Sequence, residues 1–182
     1  MNKITSYKNL LDKVESVTKQ KDLDLSSGED LSIGIMNLIS IEEHLFFTYN
    51  KTKDSKFIDL LDEVRRMRTE LLKEIIKEYQ GEVWCISKHL LAASMRIMEV
   101  GTKELKKGDK KKASSLFEKS YQLYSLFWGL NLNIVDISKA GKVSGMSDEV
   151  NYLNEKNDTP GKESVFSKLG ALVQKAIDCC RE

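Results

Sequence analysis

Two side chains one helical turn apart have residue types that could do chemistry. Cys85 and His89 are separated by four residues in a segment with a helical pattern, so both can point to the same side. A thiolate and an imidazole at this spacing can bind one metal ion, or the histidine can deprotonate the cysteine to make a nucleophile. A structural interpretation is equally open, because cysteine is commonly a small core residue and a histidine near a bundle edge commonly only forms a hydrogen bond.

A carboxylate lies where the helical pattern requires an apolar residue. On a helical wheel, Glu42 lies at the centre of the apolar face of its segment. A buried carboxylate is costly unless it is protonated, paired or bound to a metal. Arg68 lies inside the apolar face of the next segment and is long enough to reach Glu42 across an antiparallel hairpin. A buried ion pair is therefore one interpretation, and a water-filled or ligand-filled bundle centre and a metal site are the others.

Further candidates lie beside these residues. Arg96 is on the same line of its helix as Cys85 and His89, and we group it with Glu42 and Arg68 as buried polar or ligand-binding residues. A zinc site needs four ligands, so Cys85 and His89 would need two more. The candidate metal ligands are Cys85, His89, Glu43 and His44. The Glu-x-x-His pattern of di-iron bundles does not occur in the sequence.

The elements that must position these residues are long amphipathic helices. Apolar residues recur at steps of three and four along most of the chain. The predicted helices span residues 3–21, 28–50, 55–79, 82–105, 110–139 and 163–179. Short turns at 51–54 and 106–109 predict antiparallel pairing. The predicted fold is all-α, a bundle of five to six helices built on two long antiparallel helical hairpins.

The sequence also predicts how the chain is divided. Residues 1–140 are expected to form the helical bundle. Gly141, Gly145 and Pro160 mark a polar stretch, which predicts a flexible connection over 141–161. The remaining residues, 162–182, are expected to form a C-terminal helix that packs on the bundle or docks to it.

Composition restricts the class of protein. The chain has 182 residues, of which 41% are hydrophobic and 31% charged, and it contains one proline, which disfavours sandwiches and barrels. Lysine and arginine number 29 against 28 acidic residues, a balance that disfavours a nucleic-acid partner. No apolar run is long enough for a membrane span, and the N-terminus lacks the apolar core of a secretory signal. The three cysteines contain no CxxC pair, so a reducing, cytoplasmic location is expected.

One stretch resembles a tetratricopeptide repeat. Val100-Gly101, Gly108-Asp109, Ala113, Phe117 and Ser120 occur at the spacings of that family's small and large packing positions. The resemblance covers about residues 97–123. It implies a helical hairpin with a Gly-Asp turn, a small residue where the two helices touch, and a peptide-binding role.

Three functional hypotheses follow. The first is a non-catalytic cytosolic binding or scaffold protein for a protein or peptide partner, because local signatures such as the Walker loop, GxSxG and HExxH are absent from the sequence. The second is a small-ligand or metal-binding bundle with a polar centre at Glu42, Arg68, Cys85 and His89, using a divalent metal such as zinc. The third is a thiol-dependent enzyme that uses Cys85 and His89. No cofactor is expected under the first hypothesis, and a homo-oligomer is compatible with all three.

Overall fold

The computed structural model describes residues 26–77, 81–135 and 165–176, together with Asp12, Lys13 and Ser16. These residues contain five α-helices and no β-strand. The helices are α1 (Ser26–Thr52), α2 (Lys56–Ile75), α3 (Glu82–Lys106), α4 (Lys110–Asn131) and α5 (Val165–Ala176). The predicted all-α bundle is confirmed. Most of the predicted helix over 3–21 and the whole predicted connection over 141–161 lie outside the described residues.

Two antiparallel hairpins build the bundle, as predicted. The helices α1 and α2 pack along each other, and α3 and α4 do so more extensively. In the first turn, Lys53 adopts a φ of 58° and the Asp54 carboxylate accepts from the backbone N–H of Lys56 at 3.0 Å. In the second turn, Gly108 adopts a φ of 88°, and Asp109 caps α4 by accepting from the backbone N–H of Lys112 at 2.9 Å. Turn residues that fix the chain direction therefore account for both hairpins.

The end of α4 differs from the sequence prediction. The predicted helix continued to residue 139, whereas the helix ends before Asn133, which adopts a left-handed φ of 55°. The N–H of Ile134 donates to the carbonyl of Gly129 at 2.9 Å, and the N–H of Asn133 donates to that of Leu130 at 3.0 Å. This pair of bonds is a Schellman motif with asparagine in the left-handed position, and it stops the helix. The bounds of the other four described helices agree with the prediction to within about one turn.

The apolar core lies at one end of the hairpins. It forms where the first half of α1, the end of α2, the first half of α3 and the second half of α4 meet. Its buried members are Ile35, Met36, Leu72, Ile76, Leu90, Leu91, Tyr124, Phe127, Trp128, Leu130 and Val173. Toward the two turns, by contrast, large apolar side chains are exposed on both hairpins, among them Phe46, Phe47, Leu60 and Leu105. The turn-side halves therefore offer open surface between the helices.

The last helix packs on the bundle. Leu169 and Val173 of α5 are fully buried, and Val173 belongs to the main core. The hydroxyl of Tyr121 on α4 donates to the carbonyl of Gly170 at 3.0 Å. A side chain at Gly129 would approach Leu169 to 3.1 Å, so glycine permits the close contact between α4 and α5. None of the described helices has the length and apolar character needed to cross a lipid bilayer.

Candidate functional site

A buried ion pair joins α1 to α2 at the position that the sequence singled out. Glu42 is 8% exposed and Arg68 is 6% exposed. Arg68 donates from Nε to Glu42 Oε1 at 2.7 Å and from a terminal nitrogen to Oε2 at 3.3 Å. Arg65, one turn earlier on α2, donates from Nε to Oε2 at 3.0 Å. Three donors therefore satisfy both oxygens of the carboxylate, which allows the charge to be buried.

The pKa of Glu42 reflects two opposing effects, the burial of the carboxyl group and its contacts with two arginines. Burial alone would raise the pKa of this carboxyl group, because the charged form loses its hydration. The hydrogen bonds and positive charges of Arg68 and Arg65 act in the opposite direction and outweigh burial, so the pKa lies below its ordinary value of 4.5. Glu42 is therefore ionised at neutral pH, and it is not suited to serve as a general acid there.

An open groove lies over this ion pair, between α1, α2 and α3. We call it the Glu42 groove, and its volume is about 530 Å³. It is lined by Ile39, Glu42, Glu43, Phe46, Leu61, Arg65, Arg68, Lys88, His89 and Ala92. The floor thus combines apolar side chains with the Glu42–Arg68 pair, and α3 contributes two basic residues on the opposite wall.

The basic residues of α3 are available for a ligand. Neither Lys88 nor His89 forms a hydrogen bond or ion pair with any residue of the described ranges 26–77, 81–135 and 165–176. Lys88 is half-buried and His89 is exposed. The two acidic residues of the groove are engaged, Glu42 by Arg68 and Arg65, and Glu43 by Arg96. The groove can therefore attract and bind an anionic group.

A second open groove adjoins the first. We call it the Phe47 groove, with a volume of about 690 Å³. It is lined by Ser40, Glu43, His44, Phe46, Phe47, Arg96 and Glu99. Arg96 reaches from α3 to Glu43 on α1 and also pairs with Glu99 on its own helix. Because Glu43 and Phe46 line both grooves, the two form one continuous surface along the second half of α1.

Two aromatic rings dominate that surface. Phe46 is 52% exposed and Phe47 is 60% exposed. Their ring centroids are 5.3 Å apart with an interplanar angle of 70°, an edge-to-face contact. More than half of each side chain remains in contact with solvent, which is typical of a surface that another molecule covers.

The structure separates residues that the sequence grouped. Arg96, predicted to be a buried polar or ligand-binding residue, is exposed, because its guanidinium group reaches out to two glutamates at the rim, and the prediction that it binds a ligand stays a prediction. Cys85 is an exposed free thiol that lines neither groove. His44 lines the Phe47 groove, and His89 lines the Glu42 groove. The four predicted metal ligands therefore do not converge on one point.

The arrangement of the described residues supports neither a metal site nor a thiol activated by a histidine. Among the described residues, no three of the side chains of histidine, cysteine, aspartate or glutamate are placed to hold a metal ion together. Within the same residues, no hydrogen bond links the thiol of Cys85 to His89. Activation of a thiol by a histidine requires that contact.

Sequence reasoning missed Arg65, Lys88 and Phe46. Arg65 lies three residues before Arg68, so the spacing could have indicated that both reach the same carboxylate. Lys88 precedes His89 and could have been grouped with it as a basic pair. Phe46 lies four residues after Glu42 and therefore on the same helical face, but the core does not extend to it, so its side chain is 52% exposed.

Comparison with known proteins identifies no relative. The chain matches no family model, no curated protein and no solved structure. The tetratricopeptide resemblance is thus limited to local features of the α3–α4 hairpin. These features are the turn at Gly108-Asp109 and the contact that Gly101 permits with Phe117, where an added side chain would lie 2.6 Å from the ring.

Proposed function

We propose that this protein is a non-catalytic binding protein that docks a segment of a partner polypeptide on the continuous surface formed by the Glu42 groove and the Phe47 groove. The observation that carries the proposal is the exposed pair of Phe46 and Phe47, each more than half exposed, between two open grooves. Aromatic and arginine side chains dominate the binding energy of protein interfaces. This surface contains both, with Arg65 and Arg96 at its edges.

The shape of the surface favours an elongated occupant. The two grooves share Glu43 and Phe46 of α1 and follow one another along α3, where Lys88, His89 and Ala92 line the first and Arg96 and Glu99 line the second, so the surface is longer than either groove alone. An amphipathic helix binds such a groove through apolar side chains at steps of three and four residues. We place this function in the cytoplasm, because Cys85 is a free and exposed thiol, which is typical of a reducing compartment.

The experiment is a selection of binders from a phage library of random peptides of about 16 residues, long enough for about four helical turns. The wild-type chain is expected to yield peptides that bind it reproducibly. Phe46→Ser and Phe47→Ser should each weaken these peptides by about tenfold or more, as loss of a hot-spot aromatic does. Both variants should keep the wild-type circular dichroism, because the two rings are largely exposed.

A matched control lies on the same helix. Ile33 of α1 is 43% exposed and lines neither groove. Ile33→Ser should leave peptide binding unchanged. The proposal fails if the wild type yields no binders, or if Ile33→Ser weakens them as much as Phe47→Ser does.

A further inference from the structure

The Glu42 groove presents positive charge from two helices. On α2, the side chain of Arg65 is 59% exposed and uses Nε for Glu42. On α3, Lys88 and His89 have no hydrogen-bond or ion-pair partner within the described ranges of the chain. Within the described residues, the terminal N–H groups of Arg65 have no hydrogen-bond partner, so they remain available to a ligand in the groove that Lys88 and His89 also line.

The negative groups of this groove do not neutralise that charge. Glu42 accepts from Arg68 and Arg65, and Glu43 pairs with Arg96. Each of these two carboxylates is thus paired with at least one arginine, so neither balances the charge of Lys88. Lys88 is also half-buried, so an apolar occupant that covered it would leave its ammonium group without water and without a partner.

From this charge pattern we infer that the partner segment carries an aspartate or glutamate, which enters the Glu42 groove between Arg65 and Lys88. The inference rests on the proposed function and specifies its partner. Arginine binds a carboxylate through paired N–H donors, and lysine adds a compact charge from the other wall. An apolar residue about one turn away on the same segment contacts Phe46, which lines this groove and the next one.

A nucleic acid fits this surface less well. Basic side chains beside exposed aromatic rings do suit single-stranded RNA, which stacks its bases on such rings. However, the Phe47 groove contains Glu43 and Glu99 beside the two phenylalanines. Among the described residues, Arg96 is the single arginine that pairs with both carboxylates, so the Phe47 groove has no excess positive charge for the phosphates that must follow the stacked bases. The acidic side chain of a peptide instead enters the Glu42 groove, where Lys88 is unpaired within the described ranges.

The peptides selected against the wild type test this inference by their sequences. We expect aspartate and glutamate to be enriched among them at one position, three or four residues from an apolar one. Lys88→Glu should weaken these peptides by about tenfold or more, and Lys88→Gln by less, because the first reverses the charge and the second only removes it. Changing the enriched acidic residue of a peptide to lysine should restore its binding to Lys88→Glu.

Lys111→Glu is the matched control. This exposed lysine in the first turn of α4 lines neither groove, so its reversal should leave binding unchanged. Peptides without acidic enrichment that still depend on Phe46 and Phe47 would overturn the inference and leave the proposed function intact. A failure to select any peptide would instead overturn the proposed function. Binding of a single-stranded RNA oligonucleotide that is tighter than that of the best peptide and is lost in Lys88→Glu would also overturn the inference.

Discussion

The two hairpins are held together by different kinds of contact. Between α3 and α4, small residues make the contacts. Gly101 leaves room for the ring of Phe117. The hydroxyl of Ser94 donates to the carbonyl of Ser120 at 2.9 Å, and the hydroxyl of Ser120 donates to the carbonyl of Ser94 at 2.7 Å. Between α1 and α2, the central polar contact is the ion pair formed by the long side chains of Glu42 and Arg68. Small residues allow two helices to approach closely, whereas an ion pair of long side chains holds them further apart.

The difference explains where the open surface lies. The α3–α4 hairpin places its acidic Glu104 against two lysines near its own turn, Lys107 at 2.8 Å and Lys112 at 3.2 Å. These bonds tie the two ends of the turn together. The α1–α2 hairpin places its carboxylate in mid-helix, and the Glu42 groove lies directly over it. In the α1–α2 hairpin, the polar contact thus lies far from the turn and has an open groove beside it.

The largest expected effect comes from breaking the α1–α2 contact. Glu42→Leu should lower the free energy of unfolding by about 3–5 kcal/mol, because it leaves the buried guanidinium group of Arg68 without its carboxylate. Urea unfolding followed by circular dichroism measures the loss. The double variant Glu42→Leu with Arg68→Met should regain most of it, since neither charge remains. Wild-type stability of the single variant would show that the ion pair does not hold this hairpin.

An intermediate effect comes from separating α3 from α4. Gly101→Val should cost about 1–3 kcal/mol, because the new side chain would overlap the ring of Phe117. Gly34→Val is the control, since that glycine lies within α1 and, apart from its chain neighbours and the backbone of its own helix, no described atom lies within 4 Å of an added Cβ. Equal thermal unfolding temperatures for the two variants would contradict the role of close approach in this hairpin.

The smallest effect is the response of Glu42 to acid. Its pKa is lowered in the folded chain, so its ionised form stabilises the fold above the ordinary value of 4.5, and that stabilisation is lost as the pH falls through the folded pKa. Glu42→Gln cannot lose a charge on acidification. Its free energy of unfolding should therefore fall less steeply than that of the wild type below about pH 4.5. Parallel curves in urea titrations from pH 7 to pH 3 would contradict this expectation.

The hairpins and the unusual position of Glu42 could be predicted from sequence, because each is indicated by a pattern within a short stretch of the chain. The apolar periodicity, the Gly108-Asp109 turn and the position of Glu42 on its wheel each depend on neighbours within a few residues. The end of α4 was missed because the periodic pattern continues past Asn133, and only the backbone bonds of that residue show that the helix stops. A local pattern predicts that a helix exists better than it predicts where the helix ends.

The site was only partly predictable because it depends on how far the core extends. The wheel placed Phe46 and Arg96 on or beside apolar faces, which predicts burial if the partner helix continues alongside. Phe46 lies beyond the main core, toward the α1–α2 turn, whereas Arg96 lies in the middle of α3 at the rim of the Phe47 groove, and both are exposed. A wheel gives the direction of a side chain and not the distance to the next helix. For that reason the sequence could not separate His89 of the groove from Cys85 outside it.

The Glu42–Arg68 pair also restricts how this chain can diverge. Replacing either residue alone strands a buried charge, whereas replacing both together is tolerated. We therefore expect these two positions to change together among related chains, and we expect chains with only one of the two substitutions to be rare. The fold itself constrains Arg65 less, because its side chain is mostly exposed and contributes only one of the three hydrogen bonds to the carboxylate.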